Sequence, residues 1–315
     1  MKILANDGID DLGKEMLEKS GFTVDTNKIE QGDLASKISN YDVIIVRSAT
    51  KVNADIMDAG GLKLIARAGV GLDNIDLKHA GQLNIPVVNT PNASSKSVAE
   101  LVYTHIFSLV RFAQITNRVM PAEGDTKFKE LKSMASKGTE LSGKSIGIIG
   151  FGRIGQEVAK IAIGLGMKVM VYDYKERTFD VTITLHADYA INNFKVSLKG
   201  HKLETVLAQS DFVSVHTPGS AEVIGAEQIA LMKDDAILVN CARGGVVNEK
   251  ALLAALSNKK LRGAGIDVFE SEPPVFTDIL KPDNVSLTPH IGASTAEGQT
   301  RVGIELAERI ISILK

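Results

Sequence analysis

The stretch Ser145-Ile-Gly-Ile-Ile-Gly-Phe-Gly-Arg-Ile-Gly155 decides how this chain is read. An apolar run of strand length opens directly into Gly150, Gly152 and Gly155, spaced G-x-G-x-x-G. A helical pattern follows, then a second apolar run, Lys168–Tyr172, closed by Asp173. The glycine spacing alone is a weak signal, because glycine-rich turns produce it by chance. Strand, glycine turn, helix, strand and acid in this order are what a dinucleotide site requires. Gly150 permits the tight turn, Gly152 lets the backbone approach a pyrophosphate, and Gly155 lets the helix lie close to the sheet. The helix N-terminus offers free N–H groups to phosphates. Asp173 is placed to accept hydrogen bonds from the adenosine ribose, and its charge repels a 2′-phosphate, so NAD rather than NADP is expected. Lys175 and Arg177 nearby soften that repulsion.

Around this unit, short apolar runs alternate with longer amphipathic ones, the pattern of an α/β fold with mainly parallel strands. Strands are expected at Lys2–Ala5, Val43–Val46, 64–66 and 87–88, with a helical stretch at 8–20, and these make a small α/β domain. Residues 94–120 lack an internal glycine and are apolar at helical spacing (Val98, Leu101, Val102, Ile106, Leu109, Val110), with Ser94 or Ser95 as N-cap. A single helix there would be about 40 Å long and suits a connector. The lysine-rich segment 124–143 reads as an exposed arm or loop. Further strands are expected at Phe212–Val215, Ala236–Asn240, 264–267 and 285–288, and a final amphipathic helix at 294–314. One region departs from the pattern. Residues 181–186 and 194–198 alternate apolar and polar with Ile191-Asn-Asn193 between them, which predicts an inserted β-hairpin.

With 315 residues the chain has room for two domains, each with a core. Hydrophobic residues make up 44%, charged residues 23%, and the formal net charge is −2. That balance gives no reason to expect a nucleic-acid partner. No run approaches the roughly 20 apolar residues that span a bilayer, and the N-terminus reads as a strand rather than a secretory signal. The single cysteine, Cys241, excludes an intrachain disulfide and favours an intracellular setting. A soluble, cytoplasmic enzyme is the expectation.

Ligands of open α/β sheets bind outside the carboxyl ends of the strands. Three residues fall there: Arg243 in Asn240-Cys-Ala-Arg-Gly-Gly245, Glu272 in Asp267-Val-Phe-Glu-Ser-Glu-Pro-Pro274, and His290 in Thr288-Pro-His-Ile-Gly-Ala293. Singly, each has a bland reading as a turn cap, a solvated acid or a loop histidine. Together they match the needs of hydride transfer on a 2-hydroxy acid. The imidazole moves the hydroxyl proton, the carboxylate orients the ring, and the guanidinium grips the substrate carboxylate and polarises the carbonyl. The other histidines, His79, His105, His186, His201 and His216, read as structural or solvated.

These motifs resemble those of the D-isomer-specific 2-hydroxyacid dehydrogenases over essentially the whole chain. Val46-Arg-Ser-Ala-Thr-Lys51, Arg67-Ala-Gly-Val-Gly-Leu-Asp-Asn74, Asn89-Thr-Pro-Asn92 and Ala99-Glu-Leu101 extend the resemblance outside the nucleotide unit. It implies a Rossmann-type doubly wound parallel sheet at 94–293. It also implies a smaller flavodoxin-like α/β substrate domain built from both termini, 1–93 and 294–315. The three catalytic roles are implied in turn, with cofactor contacts at Arg153, Ile154, Asp173, Thr217, Cys241, Ala242, Asp267, Gly292 and Ala293. Asp267 would face the nicotinamide carboxamide, and Arg47 and Arg67 would grip the substrate. Within the family the motifs point to oxidation of D-3-phosphoglycerate; reduction of hydroxypyruvate or glyoxylate, or another D-2-hydroxy acid, is the alternative. A non-catalytic NAD sensor of the same fold is the reading from another class. A homodimer is implied, with the region 94–143 in its contacts; Val102, Ile106 and Phe107 exceed what one buried face needs. Val70 departs from the family, many of whose members carry a small hydroxylated residue there, and the hairpin lengthens the segment after Asp173. The chain ends without the regulatory modules of longer members, so no feedback control through such a module is expected.

Overall fold

Runs such as Val43–Val46 and Ala236–Asn240 are buried at every position, so strands built from them must be covered on both faces. The computed structural model describes residues 1–175, 177–184 and 193–315, and in it such strands form two separate parallel sheets, each covered by helices on both sides. The chain divides into two units, residues 1–97 with 293–315, and residues 98–292.

In the first unit β1 (Lys2–Ala5), α1 (Asp11–Lys19), β2 (Thr23–Asp25), α2 (Gln31–Lys37), β3 (Val43–Val46), α3 (Ala54–Asp58), β4 (Leu64–Arg67), α4 (Leu77–Gln82) and β5 (Val87–Asn89) alternate. The strand order is β2-β1-β3-β4-β5, that of a flavodoxin-like sheet. Helix starts are set by side-chain caps: Asp10 accepts from Leu12 N–H, Asn53 from Ile56 N–H, and Asp76 from His79 N–H. Alternate strand residues feed two core layers. Leu4, Ile44, Val46 and Ile65 pack with Leu34, Ile56 and Met57 on one face. Ile3, Ile45 and Leu64 pack on the other with Leu17 of α1 and with Leu306 and Ile310 from the C-terminal helix.

The second unit begins within α5 (Ser95–Val110) and continues with α6 (Ala113–Ala135), β6 (Ser145–Ile149), α7 (Arg153–Gly164), β7 (Lys168–Tyr172), β8 (Thr178–Thr184) and β9 (Asn193–Lys199). Then come α8 (Leu203–Gln209), β10 (Phe212–Val215), α9 (Ala226–Leu231), β11 (Ala236–Asn240), α10 (Glu249–Ser257), β12 (Leu261–Ile266) and β13 (Val285–Leu287); α11 (Ala296–Leu314) belongs to the first unit. The sheet order is β13-β12-β11-β10-β6-β7, all parallel, so order reverses between β6 and β10. One face buries Ile146, Ile148, Ile237 and Val239 under α5 and α7. The other buries Val213, Val215 and Leu238 under α8, α9 and α10. This is the doubly wound arrangement that the glycine turn predicts.

The inserted hairpin is present as β8 paired antiparallel with β9, in register from Thr178↔Lys199 to Thr184↔Asn193. His186 and Ile191 of that expectation lie outside the described residues. Phe179 and Val181 anchor the hairpin in the core, Phe179 meeting Phe151 edge-on at 4.9 Å between ring centres. Gly200 then bridges Val171 in parallel, which places the hairpin at the β7 edge.

The helix expected over 94–120 is instead two. It breaks at Phe112, whose φ of 56° is left-handed, and the carbonyl of Val110 is taken by Thr139 N–H. The segment 124–143 is helical as far as Ala135, and α6 runs through Pro121. Val102 and Ile106 are fully buried intrachain core, while Phe107 stands 43% exposed. β12 starts earlier than expected, at Leu261, and the short strand β2 had no distinct apolar run to announce it.

Candidate active site

The switch point between β6 and β10 is where a crevice opens in such a sheet. Ile149 and Val215 are register partners, so the glycine turn and the segment His216-Thr-Pro218 leave the sheet side by side. Gly150 has φ of +92°, and a Cβ there would come within 2.7 Å of the His216 carbonyl, so only glycine makes this turn. Gly155 lies in the first turn of α7, where a Cβ would meet the Gly150 carbonyl at 2.4 Å. Gly152 is the N-cap and supplies no side-chain acceptor, so the N–H groups around Arg153 and Ile154 stay open to a ligand. Asp173 follows β7, and its Oδ2 accepts from Phe151 N–H at 2.8 Å, which ties the acid to the glycine turn.

Two atoms beside this crevice are buried and without a hydrogen-bond partner among the described residues: Thr217 Oγ1 and His216 Nδ1. A buried hydroxyl left unmet costs about 1–3 kcal/mol, and a polar ligand in the crevice would supply what Thr217 lacks. With the open helix N-terminus and the acid after β7, the residues present fit a dinucleotide. His216 itself is held neutral by burial, which lowers its pKa to about 3.

The other half of the sheet edge carries the expected catalytic residues. Asn240 pairs with Ile266 and Ile266 with Leu287, so the loops after β11, β12 and β13 emerge together. The loop after β11 is folded by Asn240, whose Oδ1 accepts from Ala242 N–H and whose Nδ2 donates to the Arg243 carbonyl. Arg243 Nη1 donates to the Ala242 carbonyl at 2.7 Å. Gly244 brings this loop onto the next, since a Cβ there would sit 1.7 Å from the Phe269 carbonyl. Cys241 and Ala242 are buried, and burial, with the charge of Asp267 nearby, pushes the Cys241 thiol well up and keeps it protonated.

His290 Nδ1 donates to Glu272 Oε2 at 2.7 Å. A carboxylate only accepts, so the proton sits on Nδ1 and Nε2 is the nitrogen left for a substrate proton. Both side chains are about two-fifths exposed, so the pair adds little to stability and serves to orient the ring. His290 has φ of 54°, a left-handed conformation that costs a side chain about 1–2 kcal/mol. Asp267 holds it there. Its carbonyl accepts from His290 N–H, its Oδ1 from Ile291 N–H, and its Oδ2 from Gly292 N–H. The resemblance implies Asp267 only as a cofactor contact; in the structure its carboxylate also braces the loop that carries His290.

Ala293, Arg47 and Arg67 belong to the first unit. Val46 is the register partner of Arg67, so Arg47 and Arg67 sit at the carboxyl ends of adjacent strands. Asp7 shapes the Arg47 loop by accepting from the N–H groups of Arg47 and Thr50, and Asn74 Nδ2 donates to both their carbonyls. Arg47 also lines a cavity of about 260 Å³, along with Asp7, Asp10 and Gln299; Arg67 does not line it. Among the described residues no cluster of acids, histidines or cysteines could hold a metal ion, and no helix is long and apolar enough to cross a membrane.

This nucleotide crevice and His–Glu pair on one parallel sheet define a nicotinamide-dependent oxidoreductase. Residues 103–292 match the family model of the D-isomer-specific 2-hydroxyacid dehydrogenase NAD-binding domain. The chain is 43% identical to a hydroxypyruvate reductase of Thermotoga maritima, over 99% of this chain and 98% of that protein. It is 42% identical to a D-3-phosphoglycerate dehydrogenase of Methanocaldococcus jannaschii, covering 100% of this chain but 58% of that longer protein. A crystal structure of a glyoxylate reductase from Paecilomyes thermophila superposes with a TM-score of 0.82 at 26% identity, over 100% of this chain and 95% of that one. The chain belongs to the D-isomer-specific 2-hydroxyacid dehydrogenase family, and its cofactor is NAD.

Proposed function

We propose that this enzyme oxidises D-3-phosphoglycerate to 3-phosphohydroxypyruvate, the entry step to serine, in the cytoplasm. In this reading the segments 1–93 and 294–315 bind substrate and 94–293 bind NAD. The observation that carries the chemistry is the His290–Glu272 pair, which leaves Nε2 as a base at the edge of the nucleotide sheet. During oxidation Nε2 takes the substrate hydroxyl proton, and Glu272 stabilises the imidazolium that forms. A bound NAD would supply the hydride acceptor for C2. Arg243 holds the substrate carboxylate and polarises the developing carbonyl. Gly150, Gly152, Arg153, Ile154 and Gly155 would hold the dinucleotide, with Asp173 for the ribose and Thr217, Cys241, Ala242, Asp267, Gly292 and Ala293 for the rest.

The substrate choice rests on Arg47 and Arg67, two guanidinium groups at neighbouring strand ends that suit a second anionic group. A second reading, reduction of hydroxypyruvate, is favoured by the full-length likeness to the Thermotoga maritima protein. A homodimer is proposed through α5 and α6, where Phe107, Met120 and Phe128 stand exposed.

NADH formation with D-3-phosphoglycerate, set against NADH consumption with hydroxypyruvate and glyoxylate, tests the choice. A kcat/KM preference for the phosphorylated acid that Arg47→Ala or Arg67→Ala removes supports it. A preference for hydroxypyruvate that both variants leave intact replaces it with the second reading.

A further inference from the structure

His105 touches none of the groups assigned to the reaction, yet it is completely buried on α5, a place where an ionisable ring is uncommon. Its side chain is seated against β12 at Gly265, where an added Cβ would come within 2.6 Å of the His105 Cβ. Both ring nitrogens are engaged, Nδ1 with Ser286 Oγ at 2.8 Å and Nε2 with Thr288 Oγ1 at 3.1 Å. Thr288 Oγ1 in turn donates to Asp267 Oδ1 at 2.6 Å. A hydroxyl has one proton, so Thr288, having given it to Asp267, meets Nε2 only as an acceptor. The tautomer follows: Nε2 carries the proton and Nδ1 accepts from the Ser286 hydroxyl. The chain of donors thus runs from Ser286 through His105 and Thr288 into Asp267, the residue that holds the N–H groups of His290, Ile291 and Gly292.

We propose that His105 is a positioning residue for His290: by donating to Thr288 it aims that hydroxyl at Asp267, and Asp267 so aimed keeps His290 in its left-handed turn facing Glu272. The inference rests on the reading of His290 as the proton-transfer residue. A histidine suits the task because it offers one donor and one acceptor at opposite ends of a rigid ring, matching two hydroxyls on one strand end. Burial lowers its pKa to about 4, so the ring keeps a single neutral form near neutral pH.

The test separates this role from mere packing. Glutamine at 105 places an N–H donor where Nε2 stands, whereas asparagine reaches only the Nδ1 position. Thr288→Val removes the hydroxyl link and Thr288→Ser keeps it. His105→Asn and Thr288→Val are each expected to lower kcat about 10-fold or more, because a catalytic group displaced by about 1 Å loses up to 10²-fold. The loss should fall mainly on kcat rather than on KM for NAD, since the glycine turn is untouched and only the Asp267 end of the dinucleotide's lining is disturbed. His105→Gln and Thr288→Ser should restore most of kcat, and the double variant His105→Asn with Thr288→Val should be no slower than the worse single one. Equal loss in the glutamine and asparagine variants, multiplying losses in the double variant, or unchanged kcat in Thr288→Val would each overturn the proposal. Should His105→Asn fail to fold, the Thr288 pair decides alone. His290→Ala keeps the two levels apart. If it turns over normally the functional reading fails, and if it is inactive while Thr288→Val is normal only the positioning role fails.

Discussion

Glu272 Oε2 stands 2.7 Å from His290 Nδ1, and that one contact assigns the two imidazole nitrogens to different tasks. Nδ1 is committed to orientation, and in the proposed function Nε2 takes the proton of the substrate. His290→Ala is therefore expected to lower kcat by about 10²–10⁴-fold, the range for loss of a general acid–base group. Glu272→Gln, which keeps an acceptor but removes the charge that stabilises the imidazolium, should fall between wild type and His290→Ala. Dissociation constants for NADH, measured by fluorescence titration, should change little in either. Near-normal turnover of His290→Ala would remove the base from the assignment.

Arg243 is held by its own loop, with Asn240 bonded to its carbonyl and Gly244 pressed on the backbone at Phe269. In the proposed function its planar guanidinium grips the substrate carboxylate as a fork, which an ammonium does not. Arg243→Ala should cost about 10²-fold or more in kcat/KM, since a charged hydrogen bond contributes about 1.5–3 kcal/mol each. Arg243→Lys should recover only part of it. Steady-state kinetics with full recovery in the lysine variant would mean that charge alone suffices and the fork is unused.

Asp173 spends one oxygen on Phe151 N–H, and in the proposed function the other takes a ribose hydroxyl. Its substitution touches both the glycine turn and the cofactor. Asp173→Ala should lower kcat/KM for NAD by about 10-fold or more, in line with the loss of a charged hydrogen bond. It should leave NADP nearly unchanged or improved, because the repulsion of a 2′-phosphate goes with the charge. Arg177 is already stacked on Phe179, at 4.8 Å, and Lys175 lies over Tyr174, so neither is poised to take over discrimination. Parallel loss with NAD and NADP would show that Asp173 acts on the turn and not on the choice of cofactor.

Much of this architecture is legible along the chain because parallel strands are buried on both faces and so appear as short continuous apolar runs. The glycine turn is legible because Gly150 and Gly155 answer to steric contacts of 2.7 and 2.4 Å that no other residue tolerates, while Gly152 faces open space. His290, Glu272 and Arg243 can be picked out because strand register alone delivers their loops to one edge. The break at Phe112 leaves no such mark. A left-handed residue is usually glycine or asparagine, and here tertiary bonding, Thr139 N–H to the Val110 carbonyl and Arg262 over the Phe112 ring, imposes it on phenylalanine. Pro121 and Gly124 argue locally against a helix, yet α6 continues through both. His105 escapes notice for a related reason. A polar residue among apolar ones at helical spacing looks like an edge of the exposed face, and only the strand packed against it shows that Ser286 and Thr288 meet both its nitrogens.

Two buried imidazoles also make stability depend on pH above the range in which most carboxylates titrate, Glu249, raised by burial, being an exception. Burial lowers His105 to about 4 and His216 to about 3, while in the unfolded chain both titrate near the ordinary 6.5. Below 6.5 the unfolded chain binds protons that the folded chain refuses. Stability is therefore complete above about pH 6.5 and falls with acid, each ring contributing a slope of up to about 1.4 kcal/mol per pH unit until its folded value is reached. Asp25, Asp42 and Asp211, whose carboxyls are lowered from 3.8, add their losses only as the pH drops through that value and below. His79, paired with Asp58 at the surface, is raised and so works in the opposite sense. Urea unfolding between pH 8 and pH 4.5 should show a plateau and then a decline, and His105→Gln should remove about one proton's worth of slope. A flat profile through pH 5, or a slope that the glutamine variant leaves unchanged, would mean that His105 takes up its proton in the folded enzyme. The fixed tautomer on which its donation to Thr288 depends would then be lost.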